Sequence, residues 1–256
     1  MKRIAVMTPK GGIGKTTTSV SIAYILGTEL GERVLVLDGD PQGDASKTFG
    51  VYEPDGEGMS ELLEKHTCAG GPYNTKDLIQ KTPYENIDII TANGYLMQTD
   101  MRLGLTDDVN QVTRLNTALQ EIETEYDYCI GDCGRLFDMV VINMVMAADM
   151  IIAPVKAGGY EIDALVNLNE QIDDLSSETK IKVLMTMRQK NKASGEVEEW
   201  LKEDSGMDVF DTTVRRSIVA EKSTIAMLPL PKFSKNGVTT QDYRNVVSEL
   251  IREMEG

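Results

Sequence analysis

Apolar residues recur along this chain with two different periods. Short, mainly apolar runs come first: Ile4-Ala5-Val6-Met7, then Val34 to Leu37, Ile87-Asp88-Ile89-Ile90, Tyr126 to Ile130, Met150 to Val155 and Ile181 to Met187. A strand that is apolar at every position is covered on both faces, as in a parallel sheet. Between these runs the spacing changes to three or four. The segment Thr18 to Leu26 carries Val20, Ile22, Ala23, Ile25 and Leu26, and Asp108 to Glu125 carries Val109, Val112, Leu115, Leu119 and Ile122. Tyr160 to Leu175 reads as a further helix. Thr240 to Glu253, with Tyr243, Val246, Val247, Leu250, Ile251 and the adjacent Met254 on one face, reads as the last. Strands alternating with helices predict a doubly wound α/β fold with a mostly parallel sheet. A chain of 256 residues suits one such domain spanning 1–256. Residues 50 to 85 fit the pattern least. Gly56, Gly58, Gly70 and Gly71 mark turns, and Met59 to Lys65 and Thr75 to Lys81 read as short helices.

The first strand runs into Thr8-Pro9-Lys10-Gly11-Gly12-Ile13-Gly14-Lys15-Thr16-Thr17, and a helix follows. Strand, glycine loop and helix together are the context of a phosphate-binding loop. Free N–H groups of the loop and of the helix start point at an anion, and Gly11, Gly12 and Gly14 permit close approach. Lys15 reaches the outer phosphates, and the Thr16 hydroxyl is a ligand for Mg²⁺. The general pattern G-x-x-x-x-G-K-S/T fails at its first position, which is Pro9. The alternative is a plain glycine turn, and the order of elements around it argues against that. The nucleotide-binding set is therefore Gly11, Gly12, Ile13, Gly14, Lys15, Thr16 and Thr17, while Lys10 on these grounds alone reads as a solvated loop lysine.

Two other strands end in carboxylates. Val34 to Leu37 leads into Asp38-Gly39-Asp40-Pro41-Gln42-Gly43-Asp44, and Tyr126 to Ile130 leads into Gly131-Asp132. In open α/β sheets, ligands bind beyond the carboxyl ends of the strands. Asp40 is placed to orient an attacking water or to join the Mg²⁺ shell. Asp132 is placed to hold Mg²⁺ through water. An Asp-Gly-Pro turn would also explain the first segment alone, but not its pairing with Lys15.

The stretch Lys10-Gly11-Gly12-Ile13-Gly14-Lys15-Thr16-Thr17 resembles the deviant phosphate loop of the ParA/MinD family of ATPases, and Asp38 to Gly43 resembles its D-x-D-P-Q-G motif. The resemblance extends from Lys2 to about Ile251 and implies a ParA/MinD-like P-loop NTPase fold. It implies a Mg²⁺-dependent hydrolase of ATP that dimerises on ATP and acts in plasmid, mobile-element or chromosome partitioning. In such a dimer Lys10 crosses to the partner's nucleotide, so that Lys10, Lys15 and Asp40 form the catalytic set, with Asp38 supporting Asp40. An adaptor protein that stimulates hydrolysis is implied as well. The family's strand ending in D-C-P-P is matched by Asp132-Cys133, but Gly134-Arg135 stand in place of the prolines. Phe210 to Arg216 resembles a segment that ends in an arginine near the nucleotide. Val219 stands where many relatives carry an arginine used on non-specific DNA.

Composition narrows the partners. The formal charge is −15, from 26 basic and 41 acidic residues. That excludes a protein-wide surface for nucleic acid and leaves only local patches. Two such stretches exist. One is Lys180, Lys182, Arg188, Lys190 and Lys192; the other, between Asp211 and Lys235, holds Arg215, Arg216, Lys222, Lys232 and Lys235. They make non-specific DNA a candidate partner. Cys68, Cys129 and Cys133 have neither disulfide nor zinc spacing and fit a reducing cytoplasm. The charged N-terminus is no signal peptide, and no apolar run is long enough to span a membrane. The last helix mixes Arg244 and Arg252 with Asp242, Glu249 and Glu253 on its polar face, which favours docking on the sheet over lying on a membrane. His66, the sole histidine, reads as a surface residue. Two other functions fit the same loop: an ATP-clamped dimeric regulator with little hydrolysis, and a nitrogenase-reductase-like electron carrier. The second needs cysteines bridging two subunits around an Fe–S cluster.

Overall fold

A computed structural model describes residues 1–65, 73–105, 110–175 and 179–255, without the side chains of 159–161. His66, Cys68, Gly70, Gly71, Asp108 and Val109, and the side chain of Tyr160, lie outside the described residues. Eight strands form one sheet: β1 (Lys2–Val6), β2 (Val34–Gly39), β3 (Gln80–Lys81), β4 (Ile87–Ile90), β5 (Tyr128–Cys133), β6 (Met150–Val155), β7 (Lys180–Met185) and β8 (Asp208–Val209). Their order is β3-β4-β2-β5-β1-β6-β7-β8, and every pairing is parallel except β3 with β4.

The mainly apolar runs have the cause expected of them. Successive side chains leave a strand on opposite faces. Ile4, Val6, Val34, Val36 and Ile130 enter one core, with Val20, Ile22, Tyr243, Val246 and Leu250 from the helices Lys15–Tyr24 and Val238–Glu255. Ala5, Met7, Leu35 and Leu37 enter the other, with Leu115, Leu119, Val141, Val145 and Leu168 from the helices Arg114–Gln120, Met139–Ala147 and Gly159–Leu175. The last helix thus docks on the sheet. No described helix is long and apolar enough to cross a membrane.

Three segments depart from the sequence pattern. Thr75 to Lys81 is not a helix; a single 3-10 turn, Thr75–Leu78, leads into the edge strand β3. What fixes it is a cross-strand partner: the Lys81 ammonium donates to Asp88 on β4 at 2.7 Å. Within the described part of the helix expected from Asp108 to Glu125, residues 110–125, only Arg114–Gln120 is helical. Past it, Glu121 binds Lys65 and Thr75, and Glu123 binds the chain's amino terminus, so these carboxylates anchor turns. Met139–Ala147 escaped notice because it is apolar all round, which leaves no helical stripe to read.

Candidate functional site

The order of the strands sets the site. From β1 the chain passes β5 to reach β2, and β6 flanks β1 on the other side, so the connections diverge at the carboxyl end of β1. There the register aligns Val6 with Asp132 and Asp132 with Asp38. The glycine loop leaves β1 over this point. Gly12 and Gly14 take φ of +69° and +89°, values that suit glycine, and Gly14 opens the helix Lys15–Tyr24. Neither a capping side chain nor an acidic residue occupies its first turn, so its leading N–H groups remain available to an anion.

Lys15 is buried, and its Nζ donates to the Lys10 carbonyl at 3.0 Å, so the side chain folds back over the loop. Burial lowers the pKa of this ammonium, and Asp132 and Asp40 oppose the shift. Asp132 is fully buried. Its Oδ1 accepts from Ser19 Oγ at 2.8 Å, while Oδ2 has no hydrogen-bond partner. Burial, and then the neighbouring Asp38, push its pKa up to about 8, against the pull of the Thr16 and Ser19 hydroxyls. A buried acceptor without a partner awaits a proton or a cation.

Asp38 is buried too, and burial is the main cause that raises its pKa. Its Oδ2 accepts from the Ser46 N–H at 2.8 Å and the Ser46 hydroxyl at 2.6 Å, and its Oδ1 from the Asp40 N–H at 3.3 Å. Asp38 therefore holds the turn that presents Asp40. Asp40 is half-buried and lines a cleft of about 510 Å³ together with Gly134, Arg135 and Asp138. Arg135 is exposed at the rim.

Thr16, Asp40 and Asp132 supply oxygen donors of the kind a hard divalent cation takes. Among the described residues no group of three or more His, Cys, Asp or Glu could hold a metal ion. A cation here would need further oxygens from the anion it accompanies. The glycine cradle, the free N–H groups and the unpartnered Asp132 oxygen fit that pair.

A second cavity, of about 220 Å³, opens on the other flank of the loop, lined by Gly12, Thr17, Met187, Arg215, Ser217 and Tyr243 among others. Its wall is braced by Asp242, which accepts from the Arg215 backbone N–H at 3.0 Å, from Nε at 2.9 Å and from Nη2 at 2.5 Å. The Tyr243 hydroxyl meets Thr18 Oγ1 at 3.0 Å. Of these residues the sequence signalled Gly12 and Thr17 of the loop and the arginine at 215–216. The rest come from segments too far apart for spacing to join them.

The two basic stretches meet at a backbone bridge between Arg188 and Arg215, but several of their charges are already paired. Lys182 is taken up by Asp208 and Glu253, Arg188 by Glu198, Lys192 by Glu196 and Arg215 by Asp242. Cys129 and Cys133 are buried in β5 with their thiols pushed up by burial, Cys129 to about 12. Thiols held neutral inside a sheet are unsuited to share a cluster between subunits.

Residues 1–185 match the model of the AAA domain family AAA_31. The sporulation initiation inhibitor protein Soj of Bacillus subtilis is 29% identical over 256 residues, covering 97% of this chain and 98% of Soj. A putative plasmid partition protein of Borrelia burgdorferi, solved bound to AMPPNP, superposes with a TM-score of 0.83 at 20% identity, covering 98% of this chain and 99% of that one. Cobyrinic acid a,c-diamide synthase of Mycobacterium smegmatis, solved with an ATP analogue and magnesium, gives 0.82 at 23% identity, covering 100% of this chain and 96% of that one. At those identities the two structures speak for the fold alone.

Proposed function

Because the chain belongs to the AAA domain family AAA_31, and within it to the ParA/Soj-type partition ATPases, we propose that it hydrolyses ATP with Mg²⁺ as an ATP-sandwiched homodimer. The work of that dimer is plasmid, mobile-element or chromosome partitioning, with an adaptor protein that stimulates hydrolysis. The observation that carries the reading is the buried Lys15 on a glycine loop, opposite a buried Asp132 with one oxygen free.

The residues divide the work by position. Backbone N–H groups from Gly11 to Thr17 hold the phosphates. Lys15 offsets negative charge that grows on the outer phosphates, and it does so inside a water-poor pocket, where charge counts for most. Thr16, with Asp132 and Asp40 partly through water, are the residues to hold Mg²⁺, which when bound spreads phosphate charge. Asp40 orients the attacking water, since transfer to water needs in-line placement more than a strong base. The Lys10 carbonyl is engaged by Lys15, while its ammonium has no described partner and is free to reach a facing subunit.

Lys10→Ala tests the dimer. It should bind ATP as the parent does and stay monomeric by light scattering with a non-hydrolysable analogue. If it dimerises normally, the sandwich mechanism is wrong for this protein. A second reading, an ATP-clamped regulator with little turnover, draws on Gly134-Arg135 in the loop beside Asp40 and on Val219. Phosphate release measured with and without DNA separates the two. Retention of DNA on filters at low salt, dependent on ATP, would favour the partitioning role.

A further inference from the structure

The phosphate loop is only partly fixed by its own residues, through Lys15 on the Lys10 carbonyl and the Thr18 N–H on the Gly14 carbonyl. Ile13 sits between Gly12 and Gly14, both at positive φ, and glycine takes that region and its mirror with nearly equal ease. The Ile13–Gly14 peptide is therefore free to turn over unless something outside the loop holds it. One group does. Thr186, directly after β7 and 2% exposed, donates its hydroxyl to the Ile13 carbonyl at 2.8 Å, across 173 residues of sequence. In a trans peptide the C=O and the next N–H point in opposite directions. With the Ile13 carbonyl drawn to Thr186, the Gly14 N–H is turned away from β7.

The neighbouring residue closes the same contact from the side. Met187 takes φ of +51°, unusual for a residue with a side chain, and its Cε lies 3.9 Å from where a Cβ on Gly14 would stand. Both residues also line the 220 Å³ cavity, so this dipeptide touches the loop and the second cavity at once.

We propose that Thr186 is a positioning residue for phosphate binding: its hydroxyl locks the Ile13–Gly14 peptide so that the Gly14 N–H faces the anion. This rests on the reading of the loop as an ATP site. A rival role exists, because Thr186 also completes the end of the β6–β7 pairing, with its N–H on the Val155 carbonyl at 2.7 Å and its hydroxyl at 3.3 Å from the same oxygen. A sheet-end role would affect folding without regard to phosphate.

The test compares the wild type with Thr186→Val, Thr186→Ser and Thr186→Ala, using calorimetry for ATP, competition for adenosine, and thermal melting for the fold. Valine keeps the shape and removes the donor; serine keeps the donor. Thr186→Val should bind ATP about tenfold more weakly, roughly 1.4 kcal/mol, with adenosine affinity unchanged. Thr186→Ser should return to within about twofold of wild type. If valine does not fold, Thr186→Ala carries the same expectation. Equal losses for ATP and adenosine, or a serine variant as weak as valine, would overturn the proposal. Wild-type protein that binds no ATP would sink the ATP reading itself, and the proposal with it; wild-type binding retained in Thr186→Val sinks the proposal alone.

Discussion

On the phosphate side of the cleft, Lys10, Gly14, Lys15 and Thr16 lie in one loop and the helix turn after it, while on the opposite side Met187, Arg215, Ser217 and Tyr243 come from three distant segments. On the proposed reading the first half binds through backbone N–H groups and buried charge, which only a local conformation can present. The second is a wall of side chains and turns that tertiary packing brings together. The difference teaches where specificity and grip reside. Losses on the phosphate side should grow with the number of phosphates, and losses on the other side should not.

The largest expected effect is therefore Lys15→Ala. It removes a buried ammonium facing Asp132 and should weaken ATP binding by more than about a hundredfold, roughly 2.7 kcal/mol, leaving adenosine affinity almost unaltered. Isothermal titration with both ligands checks this. An equal loss for both would mean that Lys15 supports the whole cleft.

Asp40→Ala comes next. Asp40 lies at the mouth, half-buried and held by Asp38 through its own N–H. The variant should keep ATP affinity and lose about a hundredfold in turnover, because the water loses its orienting group. Phosphate release from saturated enzyme is the readout. Unchanged turnover would remove Asp40 from the chemistry.

These contrasts follow what could be read from the chain. The strand–loop–helix order and the carboxylates at the ends of β2 and β5 were legible because each depends on residues close in sequence. Asp132 and Asp38 meet through the register of β2 and β5, which the apolar runs implied without stating the partner strand. The wall of the second cavity was not legible, since Met187 and Tyr243 look like ordinary apolar positions of a strand end and a helix. The edge strand β3 was misread for a similar reason: its Lys81–Asp88 pair is a contact between strands, invisible to spacing within one.

A smaller effect should appear with pH. Asp132 titrates at about 8 when folded against an ordinary 3.8. Between those values the folded chain holds a proton that the unfolded chain has released. Stability without nucleotide should therefore fall as pH rises through this window, by about 1.4 kcal/mol per pH unit at most. Below it both states are protonated and the contribution levels off. Urea midpoints at about pH 6 and about pH 8 measure the slope, and Asp132→Asn should flatten it. A slope that survives the substitution would place its origin in groups other than Asp132.

The smallest effect tests the other half. Asp242 is almost fully buried and grips Arg215 through backbone and side chain together, so that residues Val214 to Ser217 stand as a wall of the cavity. Asp242→Asn keeps an acceptor for one of these N–H groups and loses the charge that holds the guanidinium. The wall should loosen without moving the loop, because Thr186 and the register of β1 hold the loop independently. ATP and adenosine should then lose affinity by the same factor, about threefold or roughly 0.6 kcal/mol, in competition binding. A loss confined to adenosine-free phosphate compounds, or a gain for ATP alone, would show that the released Arg215 reaches the phosphates. In that case the arginine belongs to the phosphate side, and the division of the cleft into a gripping half and a shaping half fails at this residue.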